Sequence, residues 1–314
     1  MSRPFLSVGL CTYNRADFLP RVLETLRQQT LDPALFEILV IDNNSTDNTH
    51  EVVQQFAENN PHLNVRYCLE TSQGVSYARN RSYQEAHGEY VVYFDDDELA
   101  EPDWIEGYHR FISQHPGAAI YAGRIVITYL EGTPAWNSEY VEGWYGKYDF
   151  GAQPVEITEE TVANRQAALP NAGNMAARVD FLKAIGGFDV TLGRKGNQML
   201  GGEETQIALK ALEQGERMVY NPSSTIAHVV FPARLSIDFL KEKHFMQGRT
   251  YFRLHKEEIV RKGMLRLLAG KAAYCLRLLS GMINPSRQKQ LEACLRLTFE
   301  QGILSGVFKE GCRA

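Results

Sequence analysis

The chain alternates short apolar runs with longer amphipathic ones. Leu6 to Cys11, Phe36 to Ile41, Val65 to Leu69 and Tyr90 to Phe94 are rich in β-branched and aromatic residues and read as strands. Between them, Ala16 to Gln29 sets Leu19, Val22, Leu23 and Leu26 on one helical face. Asp47 or Thr49 can cap a helix through Phe56, and Gly74 to Ala86 gives a third helix. Strands separated by helices form parallel βαβ units whose right-handed crossovers build an open sheet, with ligands at the carboxyl ends of its strands. Residues 129 to 169, rich in Trp, Tyr, Gly and Glu and without a clear period, read as a mobile binding loop. After Pro232 the pattern is helical, interrupted at Gly263, Gly270, Gly281 and Asn284-Pro285.

Charge divides the chain at the same place. Residues 239 to 314 hold 15 Lys and Arg against 6 Asp and Glu, a balance of +9, while the remainder stands at −14, which together give the net −5. Two readings stand: a basic tail that meets an anionic partner such as a membrane surface, or one that lies against the acidic body. Leu265 to Ile283 interleaves leucines with Arg266, Lys271 and Arg277, which disfavours a spanning helix and suits an amphipathic one. Five scattered cysteines without C-x-x-C spacing indicate neither a disulfide framework nor a zinc site. With no export signal over Met1 to Cys11, the expected location is the cytoplasm, or the inner face of the membrane if the tail docks there.

Polar residues gather where the strands end: Thr12-Tyr13-Asn14-Arg15, Asp42-Asn43-Asn44-Ser45, and Asp95-Asp96-Asp97-Glu98. Four acids in a row repel one another unless a cation is present, and carboxylate oxygens suit Mg²⁺ or Mn²⁺. A solvated acidic turn leading into a helix is the competing reading. Likewise, the Asp42 to Asp47 run can hydrogen-bond a base edge or serve only as turn and cap. Arg79 can meet a donor or a neighbouring carboxylate.

Taken together, Ser7 to Arg15, Val40 to Asp47, Arg79-Asn80 and Asp95-Asp96-Asp97 resemble glycosyltransferase family 2 in order and spacing. So do Gly173-Asn174-Met175-Ala176, Gly186-Gly187-Phe188-Asp189, Gly202-Glu203-Glu204-Thr205 and Pro222 to His228. The resemblance implies a GT-A fold: a Rossmann-like, mostly parallel sheet flanked by helices. The catalytic domain would span 1–235, with a nucleotide-binding half (1–128) and an acceptor-binding half (129–235), followed by a helical appendage over 236–314.

The same resemblance implies a donor site of Cys11, Thr12, Tyr13, Asn14, Arg15, Asn43, Arg79, Asp95 and Asp96. It also implies a Mn²⁺ or Mg²⁺ held by Asp97 with Asp95, and His228 near the diphosphate or metal. Glu204 takes the place of the family's general base, an Asp in most relatives, with Glu203 beside it. Inverting transfer from a nucleotide diphosphate sugar, UDP or dTDP favoured, to a glycan or lipid-linked glycan of a bacterial surface polysaccharide is the expected reaction. No nucleic-acid partner is expected. One rival, a sugar-1-phosphate nucleotidyltransferase, would need a Gly-rich loop near the N-terminus, where residues 7 to 20 hold only Gly9. The other, a sugar-nucleotide-binding scaffold without catalysis, sits poorly with Asp97 and Glu204 both present.

Overall fold

The computed structural model describes residues 4–166, 168–196, 200–256 and 286–310. The first half follows the apolar periodicity: β1 (Leu6–Thr12), α1 (Leu19–Arg27), β2 (Phe36–Asp42), α2 (Thr49–Asn59), β3 (Val65–Leu69), α3 (Val75–Glu85) and β4 (Tyr90–Asp95). Every residue of β1 and β2 is buried, as a parallel sheet covered on both faces requires. Leu19, Val22, Leu23 and Leu26 are the buried stripe of α1. Then come β5 (Glu98–Ala100), α4 (Trp104–Gln114), β6 (Ile120–Tyr129), α5 (Glu139–Trp144), β7 (Val155–Glu156) and α6 (Glu159–Ala163). They are followed by β8 (Met175–Arg178), α7 (Val179–Ala184), α8 (Glu203–Glu213), β9 (Met218–Val230), α9 (Ile237–Leu254) and α10 (Arg287–Glu310).

Among the described residues the strands form one mixed sheet in the order β3-β2-β1-β4-β8-β6-β9-β5, with β7 also paired to β9. β3, β2, β1 and β4 are parallel, and β8 joins β4 in the opposite sense. Three readings of the sequence change here. The acidic run does not lead into a helix: Asp96 and Asp97 form a turn and Glu98 opens β5. Asn221 to Ser224, read as a turn, lies inside the long strand β9. Within β9, Val219–Tyr220 pair with β7 and Ile226–His228 with β5, and Pro222 lies outside both of these pairings. The segment 129 to 169 contains α5, β7 and α6 rather than a structureless loop.

The chain divides into two compact units. The first takes in residues to Thr128, Tyr145–Thr191 and Glu203–Val229, and holds the sheet. At its centre Asn174 is fully buried. Its Oδ1 accepts from Trp104 Nε1 and the Tyr108 hydroxyl, both at 2.8 Å, and its Nδ2 donates to the carbonyls of Arg124 and Ser224, both at 2.9 Å.

The second unit takes in Tyr129–Trp144, Leu192–Gly202 and Val230 onward. In it α9, capped by Ser236, packs on α10 with the backbones in contact. A Cβ on Gly248 would strike the Phe299 carbonyl, and one on Gly302 the Phe245 carbonyl. His244 is buried there, stacked on Trp144, its Nδ1 donating to the Leu240 carbonyl, and burial pushes its pKa down to about 4. Leu265 to Ile283 lies outside the described residues. Among those described, no helix is long and apolar enough to cross a membrane.

Candidate active site

The polar ends of β1, β2 and β4 lie side by side because the three strands are parallel neighbours in register, Thr12 opposite Asp42 and Cys11 opposite Asp95. After β1 the chain is tied to the acidic turn. Asp96 accepts from Thr12 Oγ1 at 2.9 Å and the Tyr13 amide at 3.2 Å, with Arg15 Nε 3.7 Å away. Burial, and then the charge of Asp97, push the Asp96 pKa up to about 7 against the pull of Arg15. Asn14 is held at φ 50° by exchange with the next loop: its amide donates to Ser45 and its Oδ1 accepts from the Thr46 amide. Tyr13 is exposed.

Two of the proposed base contacts have other surroundings. Cys11 packs with Leu39, Ile41, Cys68 and Ala78, and burial pushes its thiol up to about 12, a structural rather than a reactive cysteine. Asn43 uses both ends of its amide on the loop before α3. Nδ2 donates to the Ser72 carbonyl at 2.7 Å, and Oδ1 accepts from the Gly74 amide at 2.8 Å. It shapes the loop before α3.

Asp97 is brought to His228 by the antiparallel pairing of β5 with β9. That ladder sets Glu98 opposite His228, and the Val229 amide donates to the Asp97 carbonyl. His228 Nε2 stands 3.5 Å from Asp97 Oδ1. On the far side of the ring Nδ1 lies 2.5 Å from the Tyr145 carbonyl, which can only accept, so the Nδ1 proton is fixed and Nε2 is directed at the carboxylate. A ring nitrogen oriented in this way beside a carboxylate oxygen fits a divalent cation. Among the described residues no three His, Cys, Asp or Glu side chains converge as a metal group.

Glu98 shapes the turn from below. It is buried, accepts from the Asp95 amide at 2.8 Å, and burial together with the charges of Asp95 and Asp97 pushes its pKa well up. Its Oε1 occupies the place a Cβ on Gly173 would need, which explains the glycine of the Gly173-Asn174 segment.

Asp95 faces the other way. Both its oxygens lie 3.2 Å from Arg79 Nη2, while Arg79 Nη1 donates to Glu203 Oε1 at 2.6 Å. Arg79 is therefore in contact with carboxylates on two elements far apart in sequence. Glu203 is the buried partner in this bridge. Its neighbour Glu204, in the first turn of α8, keeps a buried Oε2 with no hydrogen-bond partner. Burial, and then the charge of Glu203, push the Glu204 pKa up to about 8. The sequence offered no signal for the Tyr145 carbonyl, because side-chain type and spacing do not announce a main-chain acceptor, and it marked Asn174 as part of a motif without announcing the buried hub it forms.

A mostly parallel α/β sheet flanked by helices, with an acidic turn at the end of a central strand, is a fold of the GT-A type. The model of the glycosyl transferase family 2 matches residues 7–178, and the chain belongs to that family. It is 27% identical to the glucosyl-dolichyl phosphate glucuronosyltransferase of Haloferax volcanii over 246 residues, 77% of this chain and 75% of that protein. It is 24% identical to the succinoglycan biosynthesis protein ExoM of Rhizobium meliloti over 310 residues, 96% and 92% of the two chains. The fold is shared with the mannosyltransferase PcManGT from Pyrobaculum calidifontis, in complex with GDP-Man and Mn²⁺, at TM-score 0.65 and 17% identity over 99% of this chain and 89% of that one. It is also shared with S. aureus TarS in complex with UDP, at TM-score 0.57 and 17% identity over 98% and 92%.

Proposed function

We propose that this glycosyltransferase inverts the anomeric centre of a nucleotide diphosphate sugar, with Glu204 as general base and a divalent cation held by Asp97 and His228. The observation that carries the reading is Glu204: a buried carboxyl raised toward neutral pH, beside Glu203, whose Oε1 is held by Arg79, while each of the two glutamates keeps a buried Oε2 without a hydrogen bond. The cation, when bound, neutralises charge on the departing diphosphate. The acceptor hydroxyl gives its proton to Glu204 as its oxygen bonds to the anomeric carbon. The bond from that carbon to the diphosphate oxygen breaks on the opposite face, and the configuration inverts without a covalent enzyme intermediate. The exposed Tyr13 offers a face for the base, and Asp96, fixed by Thr12, Tyr13 and Arg15, stands where the ribose or the metal shell would be.

The preferred donors are UDP- or dTDP-sugars, and the acceptor is a glycan or lipid-linked glycan in surface polysaccharide synthesis. The last point draws on the relatives' names and on the +9 charge of residues 239 to 314, which suits an anionic membrane. A thermal-shift panel of UDP-glucose, dTDP-glucose and GDP-mannose with Mn²⁺ tests the donor, since a bound ligand stabilises by mass action. Asp97→Ala should keep the fold and lose both the metal-dependent shift and transfer. Full transfer in excess chelator, or in Asp97→Ala, overturns the metal-assisted reading.

A further inference from the structure

We propose that Arg79 is a positioning residue that locks the acidic strand end to the start of α8 and so decides which of two adjacent glutamates takes the proton. This rests on the reading of Glu204 as the base. The guanidinium is 5% exposed and spans two elements: Nη2 reaches both oxygens of Asp95 at 3.2 Å, and Nη1 reaches Glu203 Oε1 at 2.6 Å. Each carboxylate is thereby paired with the same cation, and the Oε1 of Glu203, a residue itself 5% exposed, is held by it.

The base of the bridge is anchored on the other side of α3. Tyr93 donates its hydroxyl to the Arg79 carbonyl, and the Phe188 ring lies 6.0 Å from the guanidinium. Asn80, the next residue, grips the Phe188 backbone twice, donating to its carbonyl at 2.9 Å and accepting from its amide at 2.8 Å. Arg79 and Asn80 thus fix two segments that the chain reaches more than a hundred residues later.

Geometry makes arginine necessary. Two carboxylates on separate elements require two nitrogens at a fixed angle, which the guanidinium plane supplies and a single ammonium does not. Glu203, held against Arg79 through its Oε1, lies beside the Glu204 carboxyl, on which both its charge and a side-chain hydrogen bond act, so the bridge sets the position of Glu204 through Glu203. The bridge therefore orients the base without touching substrate.

The test uses full-length Arg79→Lys, Glu203→Gln and the double variant. Hydrogen exchange by mass spectrometry should rise about tenfold in the peptide spanning residues 203–210 of Arg79→Lys, while the β1 and β2 peptides stay protected. With UDP-glucose or whichever sugar nucleotide of the thermal-shift panel is turned over, kcat should fall about tenfold or more in each single variant with donor KM within about threefold. The double variant should be no worse than the weaker single one, because both act through one contact. Unchanged exchange at 203–210 overturns the proposal. So do effects that multiply in the double variant, and a rise in donor KM at constant kcat, which would make Arg79 a donor ligand. If Arg79→Lys fails to fold, Glu203→Gln alone decides by the exchange of the same peptide and of α3. Exchange reads the bridge even if the wild-type protein transfers no sugar, so failure of the bridge and failure of the enzymatic reading give different results.

Discussion

Glu204 should write its titration into the rate. Burial, with the charge of Glu203 adding and Arg79 opposing, lifts its carboxyl from 4.5 to about 8. A general base works only when ionised, so at pH 7 about a tenth of the free enzyme is competent and at pH 9 about nine tenths. With Mg²⁺ as the cation, kcat/KM should therefore climb about tenfold between those values, approaching a slope of one on logarithmic axes only well below pH 8 and levelling off above it, because kcat/KM reports groups of the free enzyme. Glu204→Gln should lose the limb and turn over about 10²-fold or more slowly at the plateau, with donor affinity unchanged.

The same group acts on stability. Its folded pKa lies above its unfolded one, so its contribution is whole below pH 4.5 and is lost as pH rises toward 8. The melting-temperature gap between wild type and Glu204→Gln should accordingly shift in favour of the Gln variant from pH 5 to pH 8 and level off above. A flat kcat/KM from pH 6 to 9, or an identical limb in Glu204→Gln, would refute Glu204 as the base.

Two further outcomes probe the frame around the site. Asn174→Ala strands the Trp104 indole N–H and the carbonyls of Arg124 and Ser224 in the core, and urea unfolding should show a loss of about 3–5 kcal/mol. A loss under about 1 kcal/mol would mean water replaces the amide. Gly302→Val drives a branched side chain into the Phe245 carbonyl of the facing helix. Its hydrogen-exchange protection should drop along α9 and α10 and stay intact in the sheet strands, and native-like protection in those helices would contradict the backbone contact.

The parallel half was legible because its strands are buried on both faces and its helices on one, so period and composition reported the elements almost residue by residue. β1 and β2 each extend one residue past the apolar run, to Thr12 and Asp42, since backbone pairing continues where side chains turn polar. The antiparallel half was not legible. β9 carries Asn221, Pro222, Ser223 and Ser224 in its middle, residues whose local preference is for a turn, and pairing at either end overrides that preference. At the site, the motifs offered Asp97, His228 and Glu204 as candidates without announcing the groups around them. Cys11 and Asn43 show the limit. Both sit at strand ends where a ligand is expected, yet the direction of a buried side chain depends on what packs around it, which one sequence does not state.

The fixed orientation of His228 ends on a main-chain oxygen, at Tyr145. An acceptor of this kind survives any amino-acid replacement at its own position, since every residue brings the same carbonyl, although the buried Tyr145 ring still constrains packing. What it does not survive is a change in the number of residues leading up to it. Lengthening or shortening the chain between β6 and Tyr145 would slide a different peptide unit under the imidazole and rotate the ring nitrogen away from Asp97. In the descent of this protein that stretch should therefore tolerate exchange of letters far better than insertion or deletion, and loop length becomes a heritable setting of the histidine's geometry.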